Sequence, residues 1–135
     1  MRLVVDTNRV IAALIKDSIS RRIILHLNAE LITIPLLKEE ILKHKQVVIS
    51  KSGVNETELD LVLQKLYSKM IFLSEESIKK YRQEAIKIMD QIDPDDSQFI
   101  AVALATKADI WSDDKHFQQQ KKIKVWKTKD LIDKI

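Results

Sequence analysis

The chain has 135 residues, of which 45% are hydrophobic, and this length and composition fit one globular domain. It contains no cysteine, which excludes disulfides, thiolate metal sites and catalysis by a thiol, and which is typical of a reducing cytoplasm. The formal net charge of +3 balances 23 basic against 20 acidic residues. If several acids gather in one cleft, the remaining surface is more basic than this total and suits a polyanionic partner.

The first half of the chain alternates short apolar strands with helices. The predicted elements are a strand at 2–5, helices at 10–15 and 20–27, a strand at 31–34 and a helix at 36–45. Asp6 begins the turn after the first strand, Ser20 is the predicted N-cap of the second helix, and Pro35 stops the second strand. The segment VISKSGVNET, residues 48–57, contains the only glycine and predicts an exposed loop.

The second half continues the alternation. Its predicted elements are a helix at 59–66, a strand at 70–73, a helix at 74–92 begun by Ser74, a helix at 93–107, a strand at 110–111, a short helix after Asp114, a strand at 125–126 and a last helix capped by Thr128. We expect Asp109 to close the turn before the 110–111 strand. Short apolar strands that alternate with helices predict one α/β domain, in which helices cover both faces of a parallel sheet.

Acidic residues recur at the predicted ends of these strands. Asp6 follows the first strand and Asp114 follows the 110–111 strand, while Asp93 is the predicted N-cap of the 93–107 helix, with Pro94 in its first position and Asp95 and Asp96 in its first turn. Each acid taken singly is also explained as a helix cap or a turn residue. Their conjunction at one sheet edge is explained better by a bound cation, because clustered carboxylates repel one another.

The donor types indicate which cation this is. Carboxylate oxygens, without cysteine, favour Mg²⁺ or Mn²⁺ over Zn²⁺. The three histidines, His26, His44 and His116, have no metal-binding spacing, so we expect them to be structural or solvated. A carboxylate-held Mg²⁺ takes further ligands from a phosphate, which makes phosphodiester hydrolysis the leading chemistry. Trp111 is expected to pack in the core rather than to stack on a base.

Four segments, in order along the chain, resemble the PIN-domain nucleases, which include the VapC-type toxins. The segments are LVVDTN, TIPLLKEEILKH, DPDDSQFIAVALA and ADIWSDDKHF. Together they cover essentially the whole chain as a single PIN-like domain, residues 1–135. The resemblance implies a three-layer α/β/α sandwich with a central parallel sheet.

The resemblance also implies a set of site residues. Matched by position, the catalytic acids are Asp6, Glu40, Asp96 and Asp114. Three of these, Asp6, Asp96 and Asp114, are the implied metal ligands, and Asp93 is either a helix cap or an additional ligand. Glu40 is preferred to Glu39 because it directly precedes an aliphatic residue, although the alternative stays open. Asn8 and Ser112 are expected to orient carboxylates or waters, and Asp113 is interpreted as a turn residue.

The implied activity is that of an Mg²⁺- or Mn²⁺-dependent endoribonuclease on single-stranded or looped RNA. Arg9, Lys43 and Lys115 are the basic residues expected to contact the RNA backbone. The resemblance further implies a homodimer and, for a toxin, a small antitoxin partner. The N-terminal apolar run is too short for a signal peptide, and no stretch approaches the roughly 20 apolar residues of a membrane span, so a cytoplasmic protein without membrane contact is expected.

Three alternatives remain open. One is another Mg²⁺-dependent phosphoryl hydrolase with Asp6 as nucleophile, but that class expects a second aspartate where Asn8 stands. Another is a catalytically silent PIN-like protein that binds RNA or serves assembly. The third is a receiver-like signalling domain, which expects an aspartate directly after the 70–73 strand, where this chain has Ser74.

Overall fold

The architecture is a three-layer α/β/α sandwich built on a parallel sheet. The structure, a computed structural model, describes residues 1–15, 18–90, 92–93 and 96–135. Within these residues the elements are β1 Arg2–Val5, α1 Thr7–Ala13, α2 Ile19–His26, β2 Glu30–Thr33, α3 Leu36–Ser52, α4 Glu56–Ser68, β3 Met70–Phe72, α5 Glu75–Ile78, α6 Arg82–Met89, α7 Ser97–Thr106, β4 Asp109–Trp111, α8 Lys115–Gln119, β5 Val125–Trp126 and α9 Thr128–Leu131, with 3₁₀ turns at Lys79–Tyr81 and Ile132–Lys134.

The sheet reverses its strand order at its centre. Among the described residues its strands lie in the order β3-β2-β1-β4-β5, and every neighbouring pair is parallel. The chain therefore proceeds from β1 outward through β2 and β3, then crosses to β4 on the other side of β1. The carboxyl ends of β1 and β4 form a topological switch point, where open α/β sheets bind their ligands.

Two apolar cores, one on each face of the sheet, hold the layers together. Successive side chains of β1 point to opposite faces: Leu3 and Val5 pack with α1, α2, α3 and α4, whereas Val4 packs with α5, α6 and α7. Trp111 is fully buried, which confirms its predicted place in the core. Within the part of the chain that the structure describes, none of the helices combines the length and the apolar composition of a membrane span.

Several predicted boundaries in the first half are wrong, and side-chain capping explains most of the differences. The first helix begins at Thr7 because Asp6 caps it, accepting the backbone N–H of Arg9 at 3.0 Å. Ser18, not Ser20, caps α2 by accepting the backbone N–H of Arg21 at 3.3 Å, while Ser20 is buried. The second strand starts one residue earlier than predicted and ends at Thr33.

The predicted 48–57 loop is mostly helix. Val48 is buried in the core, so α3 continues to Ser52 and ends at Gly53, whose φ of 72° is the left-handed conformation that favours glycine. Asn55 then caps α4 by accepting the backbone N–H of Glu58 at 2.8 Å. Only three residues separate the two helices.

Differences in the second half affect the candidate site directly. Ser74 caps a helix as predicted, but the 74–92 helix is divided into α5, a 3₁₀ turn and α6. The next helix begins at Ser97, and its N-cap position is occupied by Asp96 rather than Asp93. The predicted roles of Pro94 and Asp95 lie outside the described residues.

The last elements also differ from the prediction in detail. Asp109 is the first residue of β4 rather than a turn residue, and its Oδ2 accepts the indole N–H of Trp126 at 2.9 Å. Thr128 is the first residue of α9, and Lys127 occupies the N-cap position. The 125–126 strand and the short helix after Asp114 are confirmed.

Candidate functional site

The switch point of the sheet gathers four acids that lie far apart in the sequence. Asp6 directly follows β1, Asp114 lies three residues beyond β4, Asp96 precedes α7, and Glu40 lies in the second turn of α3. All four line one small pocket, together with Thr7, Asn8, His44 and Phe99. We call Asp6, Glu40, Asp96 and Asp114 the acidic cluster.

Asp6 is the most buried member of the acidic cluster, with 4% of its surface exposed. Its Oδ1 accepts the backbone N–H of Arg9, and its Oδ2 accepts a very short hydrogen bond from the Ser112 hydroxyl. Burial is the main cause that raises the pKa of Asp6 to about 6, and the charge of Asp114 adds to it, whereas Ser112 and Arg9 oppose the rise. The hydrogen bonds from Arg9 and Ser112 fix the carboxyl of Asp6 in place before any ligand arrives.

Asp114 is positioned by the turn between β4 and α8. Its backbone N–H donates to Ser112 Oγ at 3.0 Å, and its own Oδ1 accepts the backbone N–H of His116 at 2.9 Å. Since the Ser112 hydroxyl also donates to Asp6, this one buried serine connects two members of the acidic cluster. That Ser112 orients these carboxylates for a ligand stays a prediction.

Asp96 lies at the start of α7 without acting as an ordinary cap. Its side chain makes no capping hydrogen bond, and its Oδ2 is buried with no hydrogen-bond partner among the described residues. Burial, followed by the charges of Asp93, Asp114 and Asp6, raises the pKa of Asp96 to about 7, although His116 partly opposes this. A cation among these groups would supply the missing partner.

Glu40 reaches the pocket from the opposite side. Its Oε1 accepts a hydrogen bond from the Thr7 hydroxyl at 2.6 Å, so α1 fixes the orientation of a side chain on α3. Glu39 is exposed and does not line the pocket, which favours Glu40 in the pair that the sequence leaves open. Asn8 lines the pocket and is exposed. Thr7 was not predicted as a site residue; its position directly after Asp6 was the available signal.

His116 is the second residue that the sequence reasoning missed. We expected it to be structural or solvated, but its Nδ1 lies 3.2 Å from Asp93 Oδ2, 3.6 Å from Asp114 Oδ1 and 3.9 Å from Asp96 Oδ2. The available signal was that His116 lies only two residues after Asp114, in the first turn of the helix that Asp114 caps. A residue in that position lies at the same edge of the sheet as the cap itself. His44 also lines the pocket, whereas His26 is exposed on α2, as expected.

A second group of charged and polar side chains adjoins the acidic cluster. Arg9 Nη1 donates to Asp113 Oδ2 at 2.7 Å and to Thr128 Oγ1 at 3.1 Å, while Asp113 Oδ1 accepts the backbone N–H of Thr128 at 2.7 Å. We call Arg9, Asp113 and Thr128 the paired cluster. Asp113 is thus more than the predicted turn residue, because it joins α1 to α9.

The basic residues predicted to contact RNA occupy different environments. Arg9 belongs to the paired cluster, with 16% of its side chain exposed, and its Nε lies 4.0 Å from Asp6 Oδ1. Lys43 and Lys115 are exposed on α3 and α8. An RNA contact stays a prediction for all three residues, and Arg9 in addition supports the fold.

The donor set fits a divalent cation. Asp93, Asp96 and His116 each offer one ligand atom, and these atoms lie within 4.8 Å of one another. Asp96 Oδ2 and His116 Nδ1 are both buried and without a hydrogen-bond partner in the described part of the chain. Burial and the neighbouring carboxylates raise the pKa values of Asp6 and Asp96. A bound cation stabilises the ionised form of such carboxylates.

Comparisons with known proteins give a similar fold and a matching family. The chain is similar in fold to a chain in the crystal structure of VapBC2 from Rickettsia felis bound to a DNA fragment from their promoter, with a TM-score of 0.67 and 17% sequence identity over 94% of this chain and 98% of that chain. No curated protein sequence matches. The family model described as PIN domain matches residues 4–133, from β1 to the C-terminal 3₁₀ turn. This match spans all four members of the acidic cluster, and the chain belongs to the PIN-domain family.

Proposed function

We propose that this protein is a divalent-metal-dependent endoribonuclease that hydrolyses phosphodiester bonds in single-stranded or looped RNA. The observation that carries the proposal is the acidic cluster itself, which lies at the sheet's switch point in a chain of the PIN-domain family. Asp96 Oδ2, which has no hydrogen-bond partner among the described residues, and the raised pKa of Asp6 further support a cation there.

Each acid has its own part in the proposed site. Asp6, Asp96 and Asp114 hold the metal, and Asp93 adds a ligand. A bound Mg²⁺ or Mn²⁺ ion supplies Lewis acidity, which activates water and neutralises charge on the phosphoryl group. Glu40, held by Thr7, orients the attacking water and accepts its proton.

Other residues fix these groups and counter their charge. Ser112 holds Asp6 through its hydroxyl and Asp114 through the backbone N–H of that residue, so the two carboxylates keep their separation. Exposed Lys43 and Lys115 contact phosphates of the RNA and offset the repulsion between the acids and a polyanion. No protein nucleophile takes part.

We further propose that the nuclease is a toxin that acts as a homodimer and is neutralised by a small antitoxin. The support is the similarity in fold to a chain of a VapBC2 structure. A cytoplasmic location accords with RNA as the substrate. A catalytically silent RNA-binding protein and another phosphoryl hydrolase remain the competing functions.

A cleavage assay on labelled single-stranded RNA tests the proposal. We expect wild-type protein to cleave with Mn²⁺ or Mg²⁺ and to stop when the metal is removed with EDTA. Asp6→Asn and Asp96→Asn should each lower the rate by about 10²-fold or more. Asp60→Asn is the matched control, because Asp60 is an exposed acid on α4 that pairs with Lys45 at 2.8 Å, outside the acidic cluster.

The outcomes separate the competing functions. Equal cleavage by both site variants would assign the activity to a contaminant and refute the proposal. RNA binding without cleavage would favour the silent protein, and hydrolysis of p-nitrophenyl phosphate without RNA cleavage would favour a phosphatase. Induced expression in a bacterial host adds the toxin readout: wild type should arrest growth and Asp96→Asn should not.

A further inference from the structure

The side chain of His116 is surrounded by acids. Its Nδ1 lies 3.2 Å from Asp93 Oδ2, 3.6 Å from Asp114 Oδ1 and 3.9 Å from Asp96 Oδ2. The atom is buried and has no hydrogen-bond partner among the described residues, and the same holds for Asp96 Oδ2. A neutral ring with its lone pair on Nδ1 would repel these oxygens unless a positive charge lies between them.

The local fold holds the ring in this position. Asp114 caps α8 by accepting the backbone N–H of His116 at 2.9 Å, which fixes the main chain next to the acidic cluster. Phe117, the next residue, is 1% exposed and anchors the short helix in the core. Since the backbone N–H of His116 and the side chain of Phe117 are both held, the ring is preorganised next to the acidic cluster.

The distances between His116 Nδ1 and the three carboxylate oxygens are close to those between the ligand atoms of a bound metal ion. A first-row divalent ion binds oxygen and nitrogen at about 2.0–2.2 Å, so neighbouring ligands lie roughly 2.8–3.6 Å apart in octahedral or tetrahedral arrangements. The distances from His116 Nδ1 to Asp93 and to Asp114 fall in this range, and the distance to Asp96 exceeds it by a few tenths of an ångström. Rotation of the carboxylates closes that difference.

We propose that His116 Nδ1 is a direct ligand of the divalent cation, together with Asp93 and Asp96, and that this nitrogen makes the site select Mn²⁺ or another transition-metal ion over Mg²⁺. Imidazole suits transition metals, whereas Mg²⁺ prefers oxygen ligands. The inference rests on the proposed function in one respect, namely that a cation binds the acidic cluster. It adds the nitrogen ligand and the selectivity.

Pulsed electron paramagnetic resonance of bound Mn²⁺ tests the ligand directly. A coordinated imidazole gives a ¹⁴N hyperfine coupling in the Mn²⁺ signal, and ¹⁵N-histidine labelling changes it in a defined way. The chain has three histidines, so each is removed in turn. We expect the coupling in wild type, His26→Gln and His44→Gln, and its loss in His116→Gln. His44 is the critical control, because it lines the same pocket while its Nδ1 lies 2.8 Å from Glu40 O.

Titration calorimetry tests the selectivity. We expect His116→Gln to weaken Mn²⁺ binding by about tenfold or more, with a smaller change for Mg²⁺. Circular dichroism establishes that the variant is folded, and the His116→Asn variant provides a second replacement of different length. Equal weakening for both ions would overturn the claim of selectivity.

The outcomes also separate this inference from the proposed function. Mn²⁺ binding and RNA cleavage without a ¹⁴N coupling, or with a coupling that survives in His116→Gln, would overturn the inference and leave the nuclease standing. A coupling lost only in His116→Gln, without RNA cleavage, would support the ligand and refute the nuclease. Cleavage with Mg²⁺ by a protein that binds no Mn²⁺ would overturn the inference alone, and a protein that binds neither ion would overturn both.

Discussion

Asp113 and Asp114 are adjacent in the sequence and belong to opposite kinds of electrostatic environment. Asp113 is in the paired cluster, where Arg9 and two groups of Thr128 donate hydrogen bonds to its oxygens at 2.6–2.7 Å. Asp114 is in the acidic cluster, where its charge raises the pKa of both Asp6 and Asp96. One cluster stabilises the fold, and the other accumulates charge at a cost in stability, as expected of the cation site proposed above.

Replacing Asp113 and Asp114 by asparagine, one at a time, gives the largest predicted contrast in activity and stability. Asp114→Asn should lower RNA cleavage by about 10²- to 10³-fold, because it removes a proposed metal ligand. It should leave the free energy of unfolding of the metal-free protein unchanged or higher, since one repelling charge is gone. Asp113→Asn should lower the free energy of unfolding by about 1–2 kcal/mol through loss of its charged partnership with Arg9, and change cleavage by only a few-fold.

Cleavage rates and urea denaturation in EDTA measure the two quantities on the same protein samples. Asp130→Asn provides a third, remote aspartate on α9, whose Oδ2 accepts the backbone N–H of Lys127 at 3.0 Å. If Asp113→Asn lost as much activity as Asp114→Asn at full stability, the division into two clusters would be wrong.

The pH dependence of stability sharpens the comparison further. The pKa of Asp6 is about 6 in the folded protein and 3.8 ordinarily, so between these values the folded state binds more protons than the unfolded state. The free energy of unfolding of the metal-free protein should therefore fall as pH rises from about 4 to about 7, and Asp96, with a raised pKa, contributes in the same direction. For Asp6, this amounts to at most about 3 kcal/mol.

Asp6→Asn removes this contribution. Its amide can accept from the Arg9 N–H and donate to Ser112, so the variant should be more stable than wild type near pH 8 and similar near pH 4, in denaturation with EDTA present. Excess Mn²⁺ should reverse the order, because metal stabilises only the form that binds it. Asp113→Asn should show no such reversal. A wild-type stability that rises from pH 4 to pH 7 would contradict the sign.

The sequence predicts those site residues whose positions depend on neighbouring residues in the chain, and it misses those whose positions depend on tertiary contacts. The sequence predicts that Asp6 and Asp114 share one edge of the sheet, because apolar strands and the residues that follow them are local patterns, and the structure places both acids at that edge. The start of α7 was misplaced by several residues, since Asp93 and Asp96 are equally good caps locally and only packing separates them. The sequence does not predict the site position of His116 for a related reason. Its acidic neighbour Asp93 precedes α7 in the sequence whereas His116 follows it, so only the folded chain brings the two together.

The 48–57 segment illustrates the same limit away from the site. The only glycine of the sequence lies in this segment and predicts an exposed loop there, yet Val48 is buried and α3 continues up to that glycine. Tertiary packing thus overrides weak local propensity. The sequence prefers Glu40 to Glu39 only through the family resemblance and leaves the alternative open, because the two residues are adjacent on one helix. The hydrogen bond that Thr7 of α1 donates to Glu40 distinguishes them.

Thr7 and Glu40 give the smallest predicted effect and define the boundary of the acidic cluster. Thr7→Val keeps the shape of a side chain that is 8% exposed but removes the hydroxyl that donates to Glu40 at 2.6 Å. Glu40 then remains in the pocket without a fixed orientation, so cleavage should fall by about tenfold while Mn²⁺ affinity stays the same. Thr7→Ser should retain most of the activity. Glu39→Gln should match wild type and Glu40→Gln should lose more than Thr7→Val. If Glu39→Gln lost the activity instead, the side chain that orients the water would be the exposed one, and Thr7 would have no part in the reaction.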